Sequence, residues 1–203
     1  NQSIIITDIN NDNNNELFAA TSGTNTLTGT LLTPGYFFVV EGIDDVSQLT
    51  FENFTYLSEY QGGLRHIIRG DADKDGKPNL YLAGHYNEAL FDWEFTDGDI
   101  TAIENYNIST VFMDDTTDAF TPNNDQGKVR VAKVISGDID NDGMGDVIIT
   151  SASFAVDKPQ LFMIEHSGLL STEENKKQIP SSPHVQQNFP NSFNPETQIS
   201  YNL

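Results

Sequence analysis

Two hundred and three residues, 37% of them hydrophobic and 10% aromatic, are enough for one or two domains with a packed core and exclude a disordered chain. Ten basic residues against thirty acidic ones give a net charge of -20, which disfavours nucleic acid or an anionic membrane surface as a partner and makes cations the natural counterpart. With no cysteine there is neither a disulfide framework nor a thiolate zinc site, and no apolar run reaches the length of a membrane-spanning helix.

The sequence starts at Asn1 with no initiator Met or signal peptide, directly before the apolar run Ile4 to Ile6, and is expected to be a piece of a longer protein. An acidic stretch follows, TDINNDNNNELFAA, in which Asp8, Asn10, Asp12, Asn14 and Glu16 fall at alternate positions. Beta-branched and aromatic runs then predict strands over Leu17 to Ala20, Tyr36 to Glu41 and Phe51 to Leu57. The pattern repeats. GDADKDGKPNLYLAG places Asp71, Asp73, Asp75, Lys77 and Asn79 at the same alternation, and strands are predicted over Leu80 to Ala83, Ala89 to Phe95 and Ser109 to Met113. A third copy, GDIDNDGMGDVIITS, lies between the apolar flanks Val129 to Ile135 and Val147 to Thr150, with a further strand predicted over Gln160 to Glu165.

The third copy is the most complete. A hard divalent cation takes about six to eight oxygen ligands, which a short loop supplies from carboxylates at its positions 1, 3 and 5. Those are Asp138, Asp140 and Asp142; Gly143 allows the sharp turn, Met144 offers its carbonyl oxygen and Asp146 closes the shell. An EF-hand needs a Glu at position 12 and helical flanks, whereas position 12 is Ile149 and the flanks have strand character. A dockerin-like module fails on the same flanks and on spacing. One such loop alone could be an ordinary solvated Asp-Gly turn. Three copies, 63 and 67 positions apart from Asp8 to Asp71 to Asp138, tell against that. Calcium is therefore the expected ion, up to three per chain, with the third site strongest. The first loop has Asn13 where glycine is expected, and the second ends in neutral Asn79.

About four short antiparallel strands per repeat predict an all-β chain built from blades of a β-propeller. The loops and their strand flanks resemble the FG-GAP and VCBS repeats of integrin-alpha-like propellers, over roughly residues 1 to 166. That resemblance implies a calcium loop between the first two strands of each blade. The small-residue signatures that name the family are replaced by Ala19 to Ser22, Ala83 to His85 and Ser151 to Ser153. Three blades form an open fragment, since propellers have about four to eight, and further blades are expected before Asn1.

No fourth strand is evident in the third repeat. Residues 167 to 184 are polar and read as a linker. Val185 to Leu203, VQQNFPNSFNPETQISYNL, resembles the start of the C-terminal sorting domain of the type IX secretion system. The matching residues are Gln187 to Pro190, Phe193 to Pro195, Thr197 and the alternating Ile199, Tyr201 and Leu203. The resemblance implies a truncated β sorting segment, recognition by the type IX machinery and export across the outer membrane.

Nothing in the sequence predicts catalysis. His66, His85, His166 and His184 are scattered, and there is no HExxH, nucleophile elbow, P-loop or dinucleotide fingerprint. Trp93, Phe95 and Tyr106 could stack on a sugar, but packing within a strand core is the expected role. Asp97, Asp99, Asp114, Asp115 and Asp118 read as solvated turns. The expected function is a non-catalytic, calcium-stabilised segment of a secreted or cell-surface bacterial protein that adheres to a protein or glycan. The second reading is an accessory domain of a secreted hydrolase whose catalytic domain lies upstream.

Overall fold

The computed structural model describes residues 3–21, 23, 34–42, 45–85, 87–114, 129–151 and 160–165. The chain divides into two compact units, Asn1–Gly168 and Leu169–Leu203; the second, with most of the expected linker and all of the expected sorting segment, lies outside the described residues.

The first unit is all-β, with no α-helix among the described residues. Its strands form three antiparallel sheets in chain order. Sheet 1 holds β1 (Ser3–Thr7), β2 (Glu16–Ala20), β3 (Pro34–Val40) and β4 (Thr55–Gln61). Sheet 2 holds β5 (Leu64–Gly70), β6 (Asn79–Gly84), β7 (Ala89–Phe95) and β8 (Tyr106–Met113). Sheet 3 holds β9 (Val131–Gly137), β10 (Asp146–Ser151) and β11 (Leu161–Glu165).

The expected second and third strands of each repeat are all present. The expected fourth strand at Phe51 to Leu57 differs: Phe51–Asn53 form a 3-10 turn, and the strand starts at Thr55. The Asn53 side chain accepts the Thr50 N–H at 2.7 Å, closing a turn where the aromatic residues alone suggested extended chain. The last strand of sheet 2 begins at Tyr106, earlier than expected.

Sheet 2 lies between the other two. Every residue of β6 is buried, because alternate side chains serve opposite cores. Leu80 and Leu82 join Phe18, Phe37 and Trp93 in the core shared with sheet 1. Tyr81 and Ala83 join Val134, Val147 and Ile149 in the core shared with sheet 3. Each large apolar side chain removed from water in this way contributes about 1.5–3 kcal/mol.

The first strands of the sheets run beside one another, with β5 packed against β1 on one side and β9 on the other. One hydrogen bond recurs at both joints. Ile67 donates its N–H to Ser3 Oγ at 3.1 Å, and Val134 donates its N–H to His66 Nδ1 at 3.2 Å. Ser3 and His66 hold the same place relative to Asp8 and Asp71, as Ile67 and Val134 do relative to Asp71 and Asp138. The two joints thus place a side-chain acceptor at corresponding positions.

Trp93, Phe95 and Tyr106 are core. Trp93 is 0% exposed, its ring meets Phe37 edge-on at 5.0 Å and Tyr106 at 5.2 Å, and its Nε1–H donates to Tyr60 Oη at 2.6 Å. Burial leaves them no face for a sugar.

Candidate metal centre

In each sheet the connection from first to second strand is one of the acidic loops: residues 8–15, 71–78 and 138–145. The ninth position, Glu16, Asn79 or Asp146, opens the second strand and pairs in register with the residue before the loop, Thr7, Gly70 or Gly137.

All three loops fold by the same local bonds, because a short carboxylate or amide side chain can accept from backbone N–H groups a few residues on. The first position accepts the sixth N–H: Asn13 to Asp8 at 2.9 Å, Gly76 to Asp71 at 3.2 Å, Gly143 to Asp138 at 3.2 Å. The third position accepts the fifth N–H: Asp12 to Asn10, Asp75 to Asp73, Asp142 to Asp140. The fifth position accepts the seventh N–H: Asn14 to Asp12, Lys77 to Asp75, Met144 to Asp142. These bonds draw alternate side chains inward.

The backbone is left-handed at two places in every loop. At the sixth position φ is 70° for Asn13, 87° for Gly76 and 96° for Gly143. At the fourth it is 57° for Asn11, 55° for Lys74 and 61° for Asn141. Asn tolerates this region and glycine is indifferent to it, whereas Lys74 is held there at a cost of about 1–2 kcal/mol.

Two loops gather three carboxylates each. Ligand oxygens of Asp71, Asp73 and Asp75, and those of Asp138, Asp140 and Asp142, lie within 4.8 Å of one another. At that spacing each pair repels by about 1 kcal/mol in water and about 3–4 kcal/mol at an effective dielectric of 20. Within each triad one oxygen is buried with no hydrogen-bond partner: Oδ1 of Asp71 and Oδ1 of Asp138. Asn79 Oδ1 is a third such atom, while its Nδ2 donates to Asp92. A buried acceptor without a donor costs about 1–3 kcal/mol, and a cation among the three carboxylates relieves both this cost and the repulsion. The donor set, all hard oxygen, fits Ca2+.

The first loop is different. Asp8 and Asp12 are its two inward acids, with Asn10 between them, and both Asp8 oxygens are occupied by the N–H groups of Asp12 and Asn13. The ninth position also departs from a simple ligand. Glu16, 2% exposed, accepts the Ile9 N–H at 2.9 Å, and Asp146, 3% exposed, accepts the Ile139 N–H at 2.7 Å. Each has one carboxylate oxygen engaged with the second residue of its loop. Burial raises the Glu16 carboxyl above the ordinary range. Lys77 offers a loop only its carbonyl, because its ammonium is held by Asp75 and Glu94 at 3.4 Å each. Met144, by contrast, carries an uncharged side chain.

Sequence reasoning missed the fourth position and the contact between loops. Asn11 and Asn141 carried the signal for a left-handed residue, but Lys74 hid it. Loops 2 and 3 touch: a side chain on Gly145 would fall on the Ala72 backbone, and Lys74 Nζ reaches Asp138. The same first position therefore titrates differently in the two loops. Asp71 is raised, chiefly by burial and then by Asp73, and Asp138 is lowered, chiefly by the hydrogen bond from Lys74. Of the histidines, His66 serves the joint described above, His85 is buried, and His166 and His184 lie outside the described residues. No protein-family model matches the chain, and no curated protein matches it in sequence.

Proposed function

We propose that this chain is a calcium-binding, non-catalytic β-propeller segment in which the three sheets are successive blades and Ca2+ locks the first hairpin of each. The observation that carries this is the pair of buried carboxylate oxygens without a donor, Asp71 Oδ1 and Asp138 Oδ1, each inside a triad of aspartates. Asp73 and Asp75 complete the second site with the Lys77 carbonyl and Asn79; Asp140 and Asp142 complete the third with the Met144 carbonyl and Asp146. Asp8, Asn10, Asp12, the Asn14 carbonyl and Glu16 form the weakest.

The propeller is supported by the order of the sheets, by first strands that lie side by side, and by a joint that repeats with the sequence. Calcium here is structural: it neutralises clustered acids and stabilises the fold by mass action, about 2.7 kcal/mol per site at a free concentration one hundred times Kd. Presentation of loops to a protein or glycan, and secretion to the cell surface through the type IX route, complete the proposal; the second part rests on the sequence of residues 185 to 203.

The test is calorimetric titration of the full chain with Ca2+, with thermal melting in calcium and in chelator. Saturable binding at two tight sites and one weak site, with a melting temperature that rises with calcium, is expected. No heat of binding and identical melts overturn the proposal.

A further inference from the structure

The second strand of each sheet opens with the ninth loop residue, and what that side chain reaches differs between the loops. In the first and third loops a carboxylate oxygen of Glu16 or Asp146 accepts the N–H of the loop's second residue, Ile9 at 2.9 Å or Ile139 at 2.7 Å. A side chain at this place therefore reaches into the loop. In the second loop the corresponding N–H, that of Ala72, is engaged by the hydroxyl oxygen of Tyr81, which is 2% exposed and stands two residues beyond Asn79 in β6. Asn79 is thereby relieved of the bracing role.

The Asn79 side chain is put to another use. The residue is 2% exposed; its Nδ2–H donates to Asp92 Oδ1 at 3.0 Å, while its own Oδ1 is buried without a donor. Only the nitrogen of an amide can donate to a carboxylate, so Asp92 fixes which way the group is turned and leaves Oδ1 on the side away from the bond. Asp92 lies in β7 directly opposite Tyr81. The residue opposite the equivalent Phe18 is Val39 in sheet 1, and that opposite Ile148 is Met163 in sheet 3. Of the three sheets, the one whose ninth loop residue is neutral is the one that carries an acid at this place on its third strand.

We propose that Asp92 is a positioning residue for the second calcium loop, holding the Asn79 amide so that its carbonyl oxygen is presented to the ion. The proposal rests on the reading of residues 71–79 as a calcium site. An acidic partner behind a metal ligand orients it and makes its donor atom more basic, and loss of such a partner costs about 10- to 100-fold in metal affinity. The same contact accounts for the neutral residue at 79, since a second carboxylate there would be set against Asp92.

The test is calorimetric titration with Ca2+ of the full chain carrying Asp140→Asn and Asp142→Asn, in which the second loop is left as the tight site. Adding Asp92→Val, the residue found at the equivalent place in sheet 1, is expected to weaken that site by about 10- to 100-fold. Adding Asp92→Asn instead, which keeps an acceptor oxygen for the Asn79 amide, is expected to lose less. Asn79→Ala removes the ligand itself, and in that background Asp92→Val is expected to cost far less than it does with Asn79 in place, because nothing is left to position. A melt of each variant in chelator separates loss of affinity from loss of fold. Unchanged affinity in Asp92→Val, an equal loss in Asp92→Asn, or an equal loss with Asn79 already removed overturns the proposal and leaves the second loop a calcium site. Absence of a tight site before Asp92 is changed overturns both that reading and this one.

Discussion

The ammonium of Lys74, in the second acidic loop, lies 2.9 Å from Oδ2 of Asp138, the first residue of the third. One loop thus supplies a counter-charge to the next. The pair holds Asp138 below the usual carboxylate range, whereas Asp71, which has no such cation, is raised. With side chains 40% and 25% exposed, the pair is screened by solvent and weakened accordingly.

On the proposed function, calcium at Asp138 Oδ1 would meet the ammonium of Lys74 on Oδ2 of the same carboxylate. Lys74→Met is therefore expected to tighten calcium binding there by about two- to fivefold. Titration of the variant against wild type measures it; unchanged affinity would show that the ammonium swings away at no cost.

On the proposed function, removing carboxylate oxygens from one loop should act locally. Asp140→Asn with Asp142→Asn is expected to abolish one tight site and lower the melting temperature in calcium while leaving the melt in chelator nearly unchanged or slightly raised, because the triad's repulsion goes too. In the first loop, Asn10→Asp supplies the missing third carboxylate and is expected to convert the weak site into a tight one. A count of tight sites by calorimetry decides both.

Tyr60 of β4 and Trp93 of β7 tie sheet 1 to sheet 2 by the 2.6 Å bond from indole Nε1–H to the phenolic oxygen, in surroundings that push the Tyr60 hydroxyl up to about 12. Tyr60→Phe leaves a buried donor unpaired and should cost about 1–3 kcal/mol by urea denaturation. Trp93 is the only tryptophan, so its emission reports this joint directly and should shift in the variant.

His85 is 3% exposed, and its imidazole is pushed down to about 3 by burial and by Arg65 and Arg130. The folded value lies below the unfolded value of 6.5, so the stabilising contribution is present in full above 6.5, declines as pH falls, and is gone by about 3. Between pH 7 and pH 5 the wild type should lose about 1 kcal/mol, after allowance for screening, that His85→Gln does not lose. Paired urea titrations at the two pH values read the difference.

Alternating aspartates around a left-handed sixth residue, with beta-branched flanks, suffice to specify the hairpin loops, since their folding bonds run between residues at most seven apart. The strand content follows for the same reason: Leu80 to Ala83 or Val147 to Thr150 carry their preference in their own side chains. Where a polar side chain closed an unanticipated local turn, as Asn53 does at Thr50, the strand boundary moved by a few residues only.

What the tertiary structure decided is which of these local units face one another. Lys74 meets Asp138 across 64 positions of chain, Ser3 meets Ile67 across 64 and His66 meets Val134 across 68. Contacts at that separation depend on how the sheets stack, and stacking is set by the apolar area shared between faces, a property no single segment contains. The sequence by itself determined the loops, the strands and their repetition. Only the packing of sheet on sheet determined that the second acidic loop lends its charge to the third.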